Sequence, residues 1–380
     1  MTIGIDQISF AIPRYYLDLA VLAERQGVAL EKFHQGIGQE QMAQVPPDED
    51  MVTLAAKAAA PLLDADSRAA LDTILLATES GIDQSKAAGL YVQRLLNLPS
   101  RVRIVELKQA CYSATAGLQL AAALVARRPD RKVLLIASDV AKYDLDSPAE
   151  ITQGAGAVAM LISAAPRVLA LGPVSGCYSE EVMDFWRPNW RSTPLVDGRF
   201  STMMYLKALE QAYQHYVAQS GPAVAEMAAF CYHLPFSKMG VKAHERLCKI
   251  AGLPLREGDF RDGMIYNRLI GNCYSASLYL ALCSLLDHRD DLAGRTIGLF
   301  SYGSGAVAEF FSGTVQPGYQ SARHRDRHRR QLAERVALSY ADYLHYWHSA
   351  AGPEDVEFPD SGSGAPRLAA IRNQQRIYQP

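Results

Sequence analysis

The sequence predicts an α/β protein in which one α/β unit occurs twice. Two observations carry that expectation. Short apolar runs rich in β-branched residues alternate along the chain with longer segments of helical periodicity. Three landmarks of the first half also return in the second, in the same order. "GAGAVAMLI" at 154–162 reappears as "GSGAVAEFF" at 303–311, and "CYSA" at 111–114 reappears at 273–276. Glu79, which closes an apolar run, has His233 as its counterpart. The offsets are 149, 162 and 154 residues. Chance supplies one such pair far more readily than three in one order. The expected halves are residues 1–166 and 167–380.

The elements follow in chain order. "DTILLATES" (72–80), "RKVLLIASD" (131–139) and "GAVAMLISA" (156–164) are short and apolar enough for buried strands. "SKAAGLYVQRLLNL" (85–98) and "TAGLQLAAALVARR" (115–128) have helical spacing, and the second ends in two arginines that suit a helix C-terminus. "AAFCYHLPF" (228–236) is a further strand that delivers His233 to its end. The segment 321–347 reads as a basic run with a solvated face, leading into one amphipathic helix through Leu332, Val336, Tyr340, Tyr343, Leu344 and Trp347. "PDSGSGAP" (359–366) is a loop by composition.

Bulk properties narrow the function. With 380 residues, 49% hydrophobic and 21% charged, a folded core is expected throughout. A net charge of −2 gives no reason to expect nucleic acid or an anionic membrane as partner. The opening "MTIGIDQISFAIP" lacks a basic region followed by an apolar core, and no run approaches the ~18 apolar residues of a membrane span. The six cysteines show no CxxC pair, so they read as reduced thiols of a cytoplasmic protein and not as a metal site.

The candidate chemistry sits at the landmarks. Cys111 precedes a run of good helix formers, so its thiol is expected at a helix N-terminus, where the dipole favours thiolate and free amides can hold an oxyanion. Cys273 can claim nearly the same setting, and the residues alone leave the choice open. Asn272 beside it adds a neutral donor and acceptor where Ala110 stands in the first copy. A carboxylate at the end of a buried strand, as at Glu79, is costly unless it is used or paired, and desolvation strengthens it as a base. His233 can donate to a carbonyl, and Lys238 and Lys242 share a helix face that can meet phosphates. Gly303, Ser304 and Gly305 form no nucleotide fingerprint; they allow close backbone approach, with an amide opposite Cys111.

These segments, with "TESGIDQSKAA", "DFWRP", "LVDGRFS" and "YHLPFSKMGVKA", resemble the 3-hydroxy-3-methylglutaryl-CoA synthases of bacterial type. The similarity runs in order through the chain and weakens after about Gly318. It implies a thiolase-like fold of two α/β halves in five layers, αβαβα, usually as a homodimer. It further implies that Cys111 accepts an acetyl group from acetyl-CoA and that Glu79 removes a methyl proton. His233 would then position and protonate the alkoxide formed on acetoacetyl-CoA, in the reaction that feeds the mevalonate route to isoprenoids. Thr152, Ser201, Lys242, Asn272 and Ser304 match the family's substrate contacts, and Tyr143 and Tyr205 its acyl-site aromatics. CoA thioesters are the substrates, and no cofactor or metal is implied. Gln109, where the family commonly has an acid, and "NWRSTPLVDG" (189–198) depart from the pattern. A polyketide β-branching synthase, fed by acyl carrier proteins, shares nearly the same signature.

Overall fold

In the computed structural model, which describes residues 1–349 and 352–380, nine strands form the central sheet. They are β1 (Gly4–Ala11), β2 (Leu71–Ala77), β3 (Arg103–Leu107), β4 (Lys132–Val140), β5 (Ala155–Ser163), β6 (Leu169–Ser179), β7 (Ala229–Tyr232), β8 (Thr296–Gly303) and β9 (Val307–Val315). Their spatial order is β7-β8-β9-β6-β1-β5-β4-β2-β3. The sheet is two sheets in register. In the first, β2 runs parallel to β3 and β4, and β4, β5 and β1 follow antiparallel. In the second, β7 runs parallel to β8, and β8, β9 and β6 follow antiparallel. Within the sheet the halves pair where Gly4 and Ile5 meet Ala170 and Leu169.

Helices supply the other layers. Helix α1 (Met51–Ala59) is apolar on nearly every side and packs on β1, β4 and β5. Its start is secured by a capping box in which Asp50 accepts from the Thr53 backbone and Thr53 closes back on Asp50. Helix α2 (Ser113–Arg127) covers the other face of that half-sheet, against β2, β4 and β5. Helix α5 (Ser277–His288) lies beside it, joined by a 2.9 Å hydrogen bond between the Thr115 and Tyr279 hydroxyls. Together they form the middle layer. Glu309 on β9 reaches back to α2, accepting from Gln119 at 2.6 Å, while its neighbour Phe310 faces Tyr216 of α3 (Gly198–Ala218) on the far side. With α4 (Lys238–Ala251) beside α3, five layers result. No helix among the described residues is long and apolar enough to cross a membrane.

The tail departs from the expected single helix. It breaks into α6 (Arg325–Ala333), an extended Val336–Ala337 paired with Tyr15–Tyr16, and α7 (Tyr340–His348). Ser339 restarts the helix by accepting from the Asp342 amide. The basic run is a solvated face only in part, at Arg329 and Arg330. Arg323 and His328 are buried; His328 bonds Asp287 at 2.7 Å and accepts from the Phe10 amide at 3.1 Å. Periodicity did not register these partners because they lie 41 and 318 residues away in sequence. The chain closes with an antiparallel pair, Arg367–Arg372 and Gln375–Gln379, that the loop reading did not anticipate.

One glycine joins the halves at the site. A Cβ on Gly303 would stand 2.6 Å from the Tyr112 nitrogen and 2.7 Å from the Gln109 oxygen. Gly303→Ala should therefore cost about 1–3 kcal/mol of stability. Gly258→Ala, whose Cβ meets nothing within 4 Å, should leave thermal unfolding near that of the parent.

Candidate active site

The nucleophile turn begins where β3 ends. Ala110 takes a left-handed conformation (φ 42°), which turns the chain sharply and presents Cys111 just ahead of α2. The Cys111 thiol donates to Glu79 Oε1 at 3.1 Å. Glu79 in turn is held by its backbone: one oxygen of Asp139 accepts from the amides of Glu79 and Ser80, each at 2.9 Å, and from the Thr78 hydroxyl at 2.8 Å. The other oxygen accepts from the Ser275 amide at 3.0 Å. Arg187 donates to the Glu79 carbonyl.

Burial pushes the Glu79 carboxyl up to about 8, with the nearby Asp139 charge adding to it. Burial, followed by the Glu79 charge, also holds the Cys111 thiol well above its ordinary range. The helix start does not produce the thiolate expected from sequence. Desolvation and a carboxylate at hydrogen-bond distance outweigh the dipole, and the resting pair keeps its protons.

The second half supplies the facing wall. His233 follows β7, with its amide donating to the Phe300 carbonyl and its carbonyl accepting from the Tyr205 hydroxyl, both at 2.8 Å. Its Nδ1 is buried without a partner among the described residues. Burial lowers the imidazole to about 3, so the ring is neutral at physiological pH. The Asn272 side-chain oxygen accepts from the Tyr274 amide and the Ser277 hydroxyl at 2.9 Å each, which turns its NH2 toward the Tyr143 hydroxyl. Asp184 accepts from Ser201 at 3.0 Å, Tyr302 at 2.7 Å and the Gly305 amide at 3.0 Å. Gln109, the departure noted above, donates to the Ser304 carbonyl at 3.2 Å and so ties the two turns together.

A cavity of about 570 Å³ opens between these walls. Cys111, Tyr143, Thr152, Ser201, Tyr205, His233, Lys242, Asn272 and Ser304 all line it. Glu79 reaches it through the Cys111 sulfur. Lys238 does not line it; its ammonium donates to the Gln35 carbonyl at 2.8 Å on the outer surface. Sequence reasoning missed Asp139, Asp184 and Arg187, and also Phe185 and Tyr274, which pack edge-on with the expected Tyr143. Asp139 carried the same signal as Glu79, an acid closing an apolar strand. Asp184, Phe185 and Arg187 lie within "DFWRP", where only the pattern and not the chemistry was visible.

The repeated "CYSA" is not the structural repeat. Helices α2 and α5 start at Ser113 and Ser277, after caps of nearly equal geometry: Tyr112 at φ −78°, ψ −19° and Ala276 at φ −82°, ψ −17°. The left-handed residue that precedes each helix is Ala110 in one copy and Tyr274 in the other. Cys111 thus corresponds to Ser275, two residues beyond the sequence match. Cys273 is buried, contacts the Gly271 carbonyl and does not line the cavity.

Fold and site together define an acyl-transferring condensing enzyme of the thiolase-like class. Residues 1–166 match the family model for the hydroxymethylglutaryl-coenzyme A synthase N-terminal region, and residues 170–250 and 258–348 match that for the C-terminal region. The chain is 46% identical over 349 residues to the hydroxymethylglutaryl-CoA synthase of Enterococcus faecalis, covering 90% of this chain and 91% of that one. It is 34% identical over 366 residues to a polyketide biosynthesis 3-hydroxy-3-methylglutaryl-ACP synthase of Bacillus subtilis (strain 168), covering 90% and 86%. A crystal structure of an HMG-CoA synthase complexed with CoA superposes with a TM-score of 0.94 at 39% identity, over 100% of this chain and 99% of that one. The chain belongs to the hydroxymethylglutaryl-CoA synthase family.

The raised Glu79 carboxyl has a thermodynamic signature. The group stays neutral up to about pH 8 in the fold, against an ordinary value of 4.5, so its contribution to stability is lost as pH rises between the two. Glu79→Gln removes that loss. The variant's gain in unfolding free energy over the parent should grow across that window and level off above it, measured by denaturant titration at several pH values. A gap that stays constant with pH would contradict the burial argument.

Proposed function

We propose that this protein condenses acetyl-CoA with acetoacetyl-CoA and water to give 3-hydroxy-3-methylglutaryl-CoA and CoA. The observation that carries the reading is the Cys111–Glu79 hydrogen bond at the wall of a cavity that His233 also lines. In this reading residues 1–166 bring the nucleophile and base, and 167–380 bring His233 and Asn272. Cys111 attacks the acetyl thioester, and its proton leaves with the CoA thiol. The thioester acidifies the methyl protons, and covalent attachment supplies the proximity a two-substrate condensation needs. Glu79, now free of the thiol, gives up its own proton to solvent and as the carboxylate takes a methyl proton; a carboxylate whose acid titrates near 8 is a stronger base than an ordinary one. The resulting enolate attacks the C3 ketone of acetoacetyl-CoA. His233 acts there as a neutral ring that hydrogen-bonds the C3 oxygen and guides a proton to the alkoxide, in place of an imidazolium. Backbone amides at Cys111 and Ser304 and the Asn272 NH2 face developing oxyanions. Water then frees Cys111.

Thr152, Ser201, Tyr143 and Tyr205 shape the acyl end, and Lys242 at the cavity wall suits a CoA phosphate. Lys238, tied to Gln35 outside the cavity, has less support as a contact. CoA is preferred to a carrier protein as donor because the CoA-named relative is 46% identical and the carrier-named one 34%. The same relation supports a role in the mevalonate route to isoprenoids, and action in the cytoplasm is part of the same proposal. A homodimer is supported by β3, an edge strand with one neighbour and with Val105 exposed.

Incubation with acetyl-CoA should give a single acetyl adduct on the peptide containing Cys111, read by mass spectrometry; an adduct at Cys273 would overturn the assignment. Glu79→Gln should keep that adduct, because it leaves the Cys111 thiol in place, yet lose about 10²–10⁴-fold in condensation. Loss of acetylation instead would point to another mechanism. Turnover should favour acetyl-CoA over acetyl-carrier protein by at least about tenfold, or about 1.4 kcal/mol. The reverse preference would select the polyketide reading.

A further inference from the structure

We infer that the tail helix α7 is a working part of the acyl site, because Tyr343 and Trp347 hold Tyr143 in place through both of its backbone polar groups. The inference rests on the proposed function in taking Tyr143 as a substrate-facing residue.

The connection that carries Tyr143 is unusual when the halves are compared. Between β8 and β9 the chain turns in residues 304–306 alone. Between the corresponding β4 and β5 it runs from 141 to 154, and in doing so brings Tyr143 and Thr152 to the cavity. A connection of that length needs anchors if its side chains are to hold a catalytic geometry. They come from α7. The side-chain oxygen of Gln153 accepts from the Tyr143 amide at 2.8 Å, and its NH2 donates to the Tyr343 hydroxyl at 2.9 Å. That hydroxyl donates onward to Glu150 at 2.7 Å. One turn further along α7, the Trp347 indole donates to the Tyr143 carbonyl at 3.2 Å. The Lys142 ammonium, 4.1 Å from the Trp347 ring centre, closes the arrangement on the Trp347 carbonyl at 2.6 Å.

Gln153, Glu150 and Tyr343 are at most 1% exposed, so no water replaces a bond that is removed. Gln153 also bridges to Asn272, whose amide donates to the Thr152 carbonyl at 2.9 Å. The clamp therefore grips the one connection that touches both the aromatic wall and the amide-bearing turn of the second half. Tyr343 and Trp347 are positioning residues; neither lines the larger cavity.

The test uses the full chain carrying Tyr343→Phe, with Trp347→Phe as an independent second variant. Each keeps an aromatic ring and deletes one donor. Tyr343→Phe should lower kcat for condensation by about tenfold with KM for acetoacetyl-CoA changed less than about twofold, as expected when geometry and not binding is lost. In a Tyr143→Phe background the same change should cost less than about twofold more, because both act through one residue. Amide exchange should quicken across 141–153 and stay unchanged in β4. Unchanged kcat with a lowered melting temperature, full multiplication of the two effects, or unchanged exchange across 141–153 in both variants would overturn the inference. If the parent condenses neither substrate, the functional proposal falls, and the exchange measurement still decides whether the clamp exists.

Discussion

A thiol and a carboxyl that cannot both ionise stand 3.1 Å apart in a half-buried site, and much of the surrounding structure exists to keep them there. Neither group is in its ordinary state. Burial lifts the carboxyl to about 8 and the thiol higher still, so each is stable only as long as the other keeps its proton. Acylation breaks that stand-off. Once the sulfur carries an acetyl group its proton is gone, and the carboxyl, after giving its own proton to solvent, is left as a carboxylate basic enough to deprotonate the methyl group beside it. One arrangement thus serves two steps in sequence.

Holding the pair requires both halves of the molecule. Asp139, at the end of β4, gathers the amides of Glu79 and Ser80 with one oxygen and reaches Ser275 of the second half with the other. Ser275 is the structural counterpart of Cys111, so the second half has turned its version of the nucleophile position into an anchor for the base. In return Gly303 and Ser304 of the second half press on the nucleophile turn, Gly303 against Tyr112 and Ser304 through Gln109. The duplication is the means by which two separate strand ends reach one cavity. Asp184 plays the matching role across it, tying Ser201, Tyr302 and Gly305 into the opposite wall.

Much of this was legible in the sequence, for a definite reason. Strands β2, β4, β5 and β7 are buried on both faces, and buried strands announce themselves as apolar runs, so they appear where the runs stand. Glu79 and His233 were visible because polar groups at the ends of such runs are costly unless used, and Cys111 because it precedes a helical run, with only the family resemblance separating it from Cys273. What was not legible depended on register or on distant partners. The "CYSA" match misaligned the halves by two residues, since identity of letters does not fix which residue carries the left-handed turn. Arg323 and His328 read as solvated because a charge looks the same whether it meets water or a buried Asp287. Lys238 shares a helix face with Lys242 by spacing, yet a carbonyl at Gln35 draws it away from the cavity.

The central claim is that Cys111 and Glu79 hold each other's protons in a desolvated site. The pH profile of Cys111 alkylation by iodoacetamide, followed by peptide mass spectrometry, tests it most directly. The account predicts a midpoint above the ordinary thiol value of 9.0 in the parent, and a lower one in Glu79→Gln, where the opposing carboxylate charge is gone. A parent midpoint near neutrality, unmoved by the substitution, would mean that the helix start governs the thiol after all, and would contradict the coupling of the two groups.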